Sequence, residues 1–449
     1  MESKASTTDR RAERESYPTL GVLYDQITGD EDARVCKDIP DAACRDLPRN
    51  FFAYLLANML GKVADELASA RLVLPWLLGS LGAPAVFVGF LVPIREAGVL
   101  LPQLAVAAYI RRLPKRKGVW LLGALLSALA LALMALGTSL LEGAAAGWAV
   151  LAMVTLFSLA RGLCSVSAKD VLGKTVSKMR RGTLMGISAA VAGVITLVVG
   201  GYIEYLGGRA LGAGFFSAML LAAAGLWLLA TAAFAAIREE PGATEGGGNA
   251  ISAAMQSLAL LKTDIDLRRY VIARALLLSA ALAPPFYVLL AQQRSGGVTG
   301  LGMLIIASGL ASSLSAPVWG RMGDRSSRRV MVVASLLAGV TGLLTWALDR
   351  AGVPAMDSPW LYALLFLLIA VFHSGVRLGR KVYLVDMATQ DKRSAYVAVS
   401  NTVIGVAMLA GGAVGVLADV FPTGSVIAML GVVSLLAAVY IARLPDVSG

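Results

Sequence analysis

Apolar residues in this chain come in long unbroken runs, not in the short alternating patterns of strands or the one-sided stripes of soluble helices. A hydrocarbon core of about 30 Å needs roughly 20 apolar residues per helix. Twelve runs meet that need: 51–80, 84–110, 118–140, 145–170, 183–206, 211–236, 267–291, 298–319, 329–348, 359–385, 395–418 and 423–443. Gly- and Pro-containing turns separate them. Membrane-barrel strands would show about ten residues of strict alternation, which these runs lack. The pattern therefore predicts an all-α integral membrane protein of twelve transmembrane helices, several long enough to tilt.

Composition removes the soluble alternative. A chain of 449 residues would ordinarily suggest two or three soluble domains. Here 57% of residues are hydrophobic and 15% charged, against roughly 45–50% and about 25% in soluble chains, and the mean hydropathy is +0.72. Such a chain left in water would expose large apolar patches.

The net charge of +11 could point to nucleic acid, so its distribution decides. With a cytoplasmic N-terminus, the inner loops at 111–117, 173–181, 320–329 and 391–393 hold fifteen Lys and Arg, whereas the outer side holds Arg209, Arg294 and Arg350. That asymmetry orients the chain with both termini cytoplasmic, as a multi-pass protein of the cytoplasmic (inner) membrane. The charge then serves topology and anionic lipid headgroups, and nucleic acid is not an expected partner. Trp120, Trp148, Trp319, Trp346 and Trp360 fall near span ends, as an aromatic belt requires. Cys36, Cys44 and Cys164 form no CxxC pair and lie far from the single His373, so structural thiols and no metal are expected. The polar N-terminus lacks the apolar core of a signal peptide.

At a constant offset of 212 residues, Trp148 matches Trp360, Arg161 matches His373, Lys169 matches Lys381, Ser188 matches Ser400, and Gly193 and Gly200 match Gly405 and Gly412. Two related six-helix halves follow, a 6+6 arrangement with its substrate site at their interface. The expected division is a cytoplasmic leader over 1–50, a first bundle over 51–237, a linker with an interfacial helix over 238–266, and a second bundle with a short tail over 267–449.

The loop between spans 8 and 9 reads G-x-x-x-D-R-x-x-R-R at Gly320, Asp324, Arg325, Arg328 and Arg329, and span 1 carries Asp65-Glu66-Leu67 followed by Leu74-Pro75-Trp76. In these motifs the chain resembles the major facilitator superfamily over residues 51–445. The equivalent first-half loop keeps the basic end but has Arg112 where the acid should be, and span 5 lacks the Gly-Pro of the superfamily's drug antiporters. The resemblance implies two pseudo-symmetric six-helix bundles, transport by alternating access, and a cytoplasmic gate stabilised by the loop motif.

Charges inside the spans cost about 3 kcal/mol each at mid-bilayer unless they face a cavity or a partner. Lys62 and Glu66 are one helical turn apart and can pair, with Asp65 beside them. Asp65, Glu66 and Glu96 are the candidates for proton coupling, because ionisation of a carboxyl in a cavity responds to an approaching charge. Asp65 and Glu96 lead, since Lys62 offers Glu66 a partner. Arg161 and His373 occupy equivalent deep positions and, with Arg377, Arg95, Lys62 and Arg274, are the candidate substrate contacts. His373 is a second candidate proton carrier. Lys62 and Arg274 correspond at the same offset, a pairing similar to that of the superfamily's organophosphate exchangers. Lys169 and Lys381, near the inner ends of spans 4 and 10, are expected to pair across the gate with Asp170 or Asp386.

Nine Lys and Arg against six Asp and Glu within the spans favour a positive cavity. The expected function is a proton-coupled secondary transporter of a small anionic solute, without cofactor or catalytic residues and working as a monomer. A lipid or hydrophobic-drug translocator on the same fold, or a non-transporting membrane sensor using the leader, are the alternatives. An enzyme is not expected: no nucleotide motif, HExxH or nucleophile elbow is present.

Overall fold

The computed structural model describes residues 20–21, 23–24, 27, 44–110, 112–206, 213–242, 258–295, 300–323, 325–389 and 392–447. Among them the regular structure is entirely helical. In the first half run α1 (Leu47–Leu67), α2 (Val73–Ser80), α3 (Ala85–Leu100), α4 (Gln103–Ile110), α5 (Lys117–Leu140), α6 (Gly143–Thr175), α7 (Lys178–Leu206) and α8 (Ala213–Ala235). A four-residue helix, α9 (Leu260–Thr263), leads into the second half. There follow α10 (Ile265–Leu276), α11 (Leu278–Leu282), α12 (Pro284–Ser295), α13 (Leu301–Gly323), α14 (Ser327–Arg350), α15 (Pro359–Met387), α16 (Arg393–Gly411), α17 (Val414–Val420) and α18 (Thr423–Ala442). The predicted interfacial helix falls mostly on residues outside the described ones.

Ten segments are long and apolar enough to cross a membrane. The first two predicted runs, 51–80 and 84–110, fold as the broken helices α1–α2 and α3–α4, and the protein is a multi-pass membrane protein. Proline explains the breaks, because its ring displaces the carbonyl four residues earlier and it has no N–H to donate. Pro75, which displaces the Arg71 carbonyl, thus accounts for the break at 68–72, and Pro102 for the interruption between α3 and α4. Pro284 and Pro285 begin α12, where a missing N–H is harmless.

The helices form two bundles. In the first, α5 packs on α6 and α8, α1 on α7 and α8, and α3 on α6; in the second, α14 packs on α18 and α15, and α13 on α15. The bundles meet along α7 against α13, α3 against α16 and α17, and α2 against α12. Glycine permits the closest approaches. A Cβ on Gly302 would fall 2.5 Å from the Glu204 nitrogen, and Gly89 and Gly415 meet backbone to backbone.

Pseudo-symmetry extends to individual hydrogen bonds. Tyr54 Oη donates to the Ala168 carbonyl at 3.2 Å, and Tyr270 Oη to the Arg380 carbonyl at 2.7 Å. Asn58 Nδ2 donates to Ser188 Oγ at 2.8 Å, and Arg274 Nη1 to Ser400 Oγ at 2.6 Å. The acceptors keep the 212-residue offset, whereas the donors on the first helix of each half are 216 apart. Arg274 is therefore the counterpart of Asn58, which corrects its assignment to Lys62.

Two further expectations change. Trp148, Trp346 and Trp360 are exposed, but Trp120 and Trp319 are buried: Trp120 stacks on Phe234 at 3.9 Å, and Trp319 Nε1 donates to the Val371 carbonyl at 2.8 Å. Those two are core residues and not part of a belt. Cys44, just ahead of α1, is disulfide-bonded, while Cys164 is a buried free thiol.

Candidate functional site

The break that Pro75 imposes on the first span lies beside a cluster of charged side chains. A cavity of about 370 Å3 opens there, and its charged lining is Asp65, Arg71, Arg95, Glu96, Arg161 and Arg377. Asp65 lies between two guanidiniums, with Arg161 Nη2 at 2.8 Å from Oδ2 and Arg95 Nη2 at 3.6 Å from Oδ1. Each arginine also sits over an aromatic ring: Arg161 over Trp227 at 4.4 Å and Arg95 over Phe157 at 4.9 Å. Such a face-on ring contact stabilises a cation where water is scarce. Glu96, one residue beyond Arg95 and about 100° round the helix, turns to Arg71 Nη2 at 2.6 Å.

Arg377 reaches the same cavity from α15 and is exposed to it; no carboxylate among the described residues lies within ion-pair distance. A second chamber of about 180 Å3 shares Ser69, Arg71 and Arg377 with the first and adds Glu66 and His373. Glu66 makes no ion pair with Lys62, so the pairing that one-turn spacing allowed does not form. Asp65 and Glu96, expected to be the less engaged acids, are the ones held by arginines. Lys62 is half-buried and absent from both cavity walls. Arg274 is buried and donates to Ser400 Oγ and to Asn401 Oδ1 at 3.0 Å, apart from both chambers.

The residues expected at the gate lie at the basic-loop end. Asp170 pairs with Arg116 at 3.3 Å inside the first bundle. Lys169, Lys381 and Asp386 are exposed there. Arg328 Nη2 lies 3.4 Å from Asp446, and its Nη1 donates to the Leu444 carbonyl at 2.8 Å. Arg325 and Arg329 are exposed, Gly320 faces open space, and Asp324 lies outside the described residues.

Several positioning groups were not foreseen from sequence. Glu239, in a segment read as linker, is wholly buried: it accepts from the Arg116 and Lys117 backbone N–H groups at 2.8 and 2.6 Å and pairs with Lys174 at 3.0 Å. It thereby fixes the start of α5. Asp446 does the equivalent in the second half, accepting from Ser326 Oγ at 2.9 Å. The hydrogen bonds that join described residues of the two bundles lie at the opposite end. There Asp419 accepts from the Ala85 and Val86 backbone N–H groups at 2.6 and 3.0 Å, Gln292 Nε2 donates to the Trp76 carbonyl at 3.1 Å, and the Met303 N–H to Glu204 at 3.3 Å. The bundles are thus sealed together at that end.

Two helical bundles around a polar cavity are the build of the major facilitator fold. Residues 270–448 match the family model for the Major Facilitator Superfamily. The fold is similar to that of a POT family transporter in complex with a thioalcohol-conjugated peptide, with a TM-score of 0.70 at 14% identity, covering 91% of this chain and 98% of that one. It is similar to the nucleoside transporter NupG, with a TM-score of 0.67 at 12% identity over 87% and 99% of the two chains. A D-xylose-proton symporter matches with a TM-score of 0.63 at 14% identity over 89% and 97%. No curated protein sequence matches. The resemblance to the superfamily thus holds by sequence over residues 270–448 and by fold over about nine-tenths of the chain.

Proposed function

We propose that this protein is a secondary active transporter that moves a small anionic solute across the cytoplasmic membrane by alternating access, together with a proton. One observation carries the reading: four guanidiniums, of Arg71, Arg95, Arg161 and Arg377, face two carboxylates, of Asp65 and Glu96, in the wall of the central cavity. Their mutual pairing leaves positive charge over, and Arg377 is the group without an acid of its own. A carboxylate or phosphate entering the cavity meets a guanidinium that no acid among the described residues already holds.

Glu66 is the acid assigned to coupling. It faces the second chamber beside Arg377, while Asp65 and Glu96 are engaged with arginines. An anion that takes Arg377 removes the positive neighbour that favours an ionised Glu66, so anion and proton bind together. Arg95 and Arg161 hold Asp65 and shape the cavity wall. Gly320, Asp324, Arg325, Arg328 and Arg329, with Lys169, Lys381, Asp170 and Asp386, are assigned to the gate at the cytoplasmic end. Proton coupling gains support from the D-xylose-proton symporter among the similar folds.

The test is uptake into proteoliposomes with an inward proton gradient, using a panel of organic anions, phosphorylated metabolites, neutral solutes and lipophilic cations. Anion uptake is expected, at least tenfold reduced by Arg377→Gln. Glu66→Gln is expected to bind the anion but lose the dependence of uptake on the gradient. Uptake confined to lipophilic cations or neutral solutes would overturn the proposal.

A further inference from the structure

The second chamber differs in chemistry from the first, and the difference bears on what the anion carries. Beyond the shared wall of Ser69, Arg71 and Arg377, its polar lining is Glu66, His373, Ser308, Ser312 and Ser374. His373 is 5% exposed. Neither of its ring nitrogens completes a hydrogen bond among the described residues. The hydroxyls of Ser69, Ser308 and Ser374 likewise make no hydrogen bond among the described residues, and only Ser312 is engaged, donating to the Ser308 carbonyl at 3.1 Å.

A buried imidazole and three unengaged hydroxyls are costly to leave without partners, and an apolar ligand would leave them so. A second anionic group fits no better, because both arginines of this chamber are shared with the first and are taken up by the one anionic group. Neutral hydroxyl groups fit every member. Glu66, protonated once the anion is bound, donates one hydrogen bond and accepts others, the imidazole offers one donor and one acceptor, and each serine offers both. Resting on the anion reading above, we propose that the substrate is a polyhydroxylated monoanion, a sugar-acid type of molecule. Its single anionic group lies between Arg71 and Arg377, and its hydroxyls occupy the chamber of His373, Ser308, Ser312 and Ser374.

The test uses the full-length protein in detergent and three probes of matched chain length: D-gluconate, hexanoate and sorbitol. D-gluconate carries both features, hexanoate only the charge, and sorbitol only the hydroxyls. Gluconate is expected to bind at least tenfold more tightly than either of the others. Ser374→Ala and Ser308→Ala are each expected to shrink the preference for gluconate over hexanoate about three- to tenfold, the range for one lost hydrogen bond. His373→Gln, which keeps a donor and an acceptor, is expected to retain more of that preference than His373→Leu. Arg377→Gln is expected to weaken gluconate and hexanoate by similar factors. The serine variants remove one atom each, and unchanged elution and melting temperature would confirm their folding. Equal binding of gluconate and hexanoate, with a preference indifferent to the serine and histidine variants, would overturn this inference and leave the anion reading standing. Binding of sorbitol alone, or of no anion, would overturn both.

Discussion

Asp65 shows how the residue scale sets the character of the cavity. Its carboxylate is the shared counter-ion of Arg161 and Arg95, and both arginines are also seated on aromatic rings. Removing one member of a largely buried pair leaves the partner's charge uncompensated, which costs about 3–5 kcal/mol, and somewhat less here because each side chain keeps about a quarter of its exposure. Asp65→Asn is therefore expected to lower stability by about 2–3 kcal/mol. Arg161→Gln alone should cost a similar amount, and the double variant less than the sum. Strict additivity in chemical denaturation of the detergent-solubilised protein would show that Asp65 and Arg161 do not act as a pair. The ionisable residues of this site were legible from sequence, because a charge within an apolar run stands out. Their partners were not. One-turn spacing identifies side chains on a common helix face, as for Lys62 and Glu66, but the ion pairs of the cavity, Asp65–Arg161, Asp65–Arg95 and Arg71–Glu96, all form between different predicted spans.

Helix ends carry most of what the hydropathy runs could not express. The runs locate the spans but treat 51–80 and 84–110 as continuous, although Pro75 and Pro102 interrupt both. Arg71 owes its place in the cavity to the first of these breaks, and Pro75 was the available signal. At the start of the second half, Asp264 caps α10 by accepting from the Leu267 N–H at 3.0 Å and also accepts from the Tyr396 hydroxyl, tying α10 to α16. Burial pushes the Asp264 carboxyl up, but the Tyr396 hydroxyl, the Leu267 N–H and Lys392 outweigh it and hold the group below its usual range. A depressed folded-state value means that the ionised cap stabilises the fold above the unfolded-state value of about 3.9. That contribution is lost as pH falls through the lower folded-state value. Asp264→Ala is expected to cost about 1 kcal/mol at neutral pH. Between pH 6 and 3, Asp264→Asn should lose less melting temperature than the wild type. Parallel curves for the two proteins would rule out an ionised cap.

At the scale of the whole molecule, the two halves share a scaffold and divide the chemistry. The Tyr54 and Tyr270 bonds, and the Asn58–Ser188 and Arg274–Ser400 bonds, repeat in both halves. The ion-paired acids of the cavity belong to the first half, whereas Arg377 and His373 come from the second. A ligand touching both walls therefore senses the relative position of the bundles, which is the requirement for coupling binding to a rocking motion. In this conformation the seam at Asp419, Ala85, Gln292, Trp76, Glu204 and Met303 is shut. Alternating access demands that it open in every cycle. The Asp419 carboxylate bonds directly to the first N–H groups of α3, so the two backbones approach closely enough there for a disulfide between cysteines introduced at positions 85 and 419 to be tested without moving either helix far. The Ala85→Cys/Asp419→Cys variant, oxidised in proteoliposomes, is expected to fall to background uptake and to recover on reduction, while neither single replacement responds to oxidant. Full turnover with the cross-link shown by mass spectrometry to be complete would mean that solute passes without this seam parting, and rocking of the bundles would have to be abandoned as the mechanism.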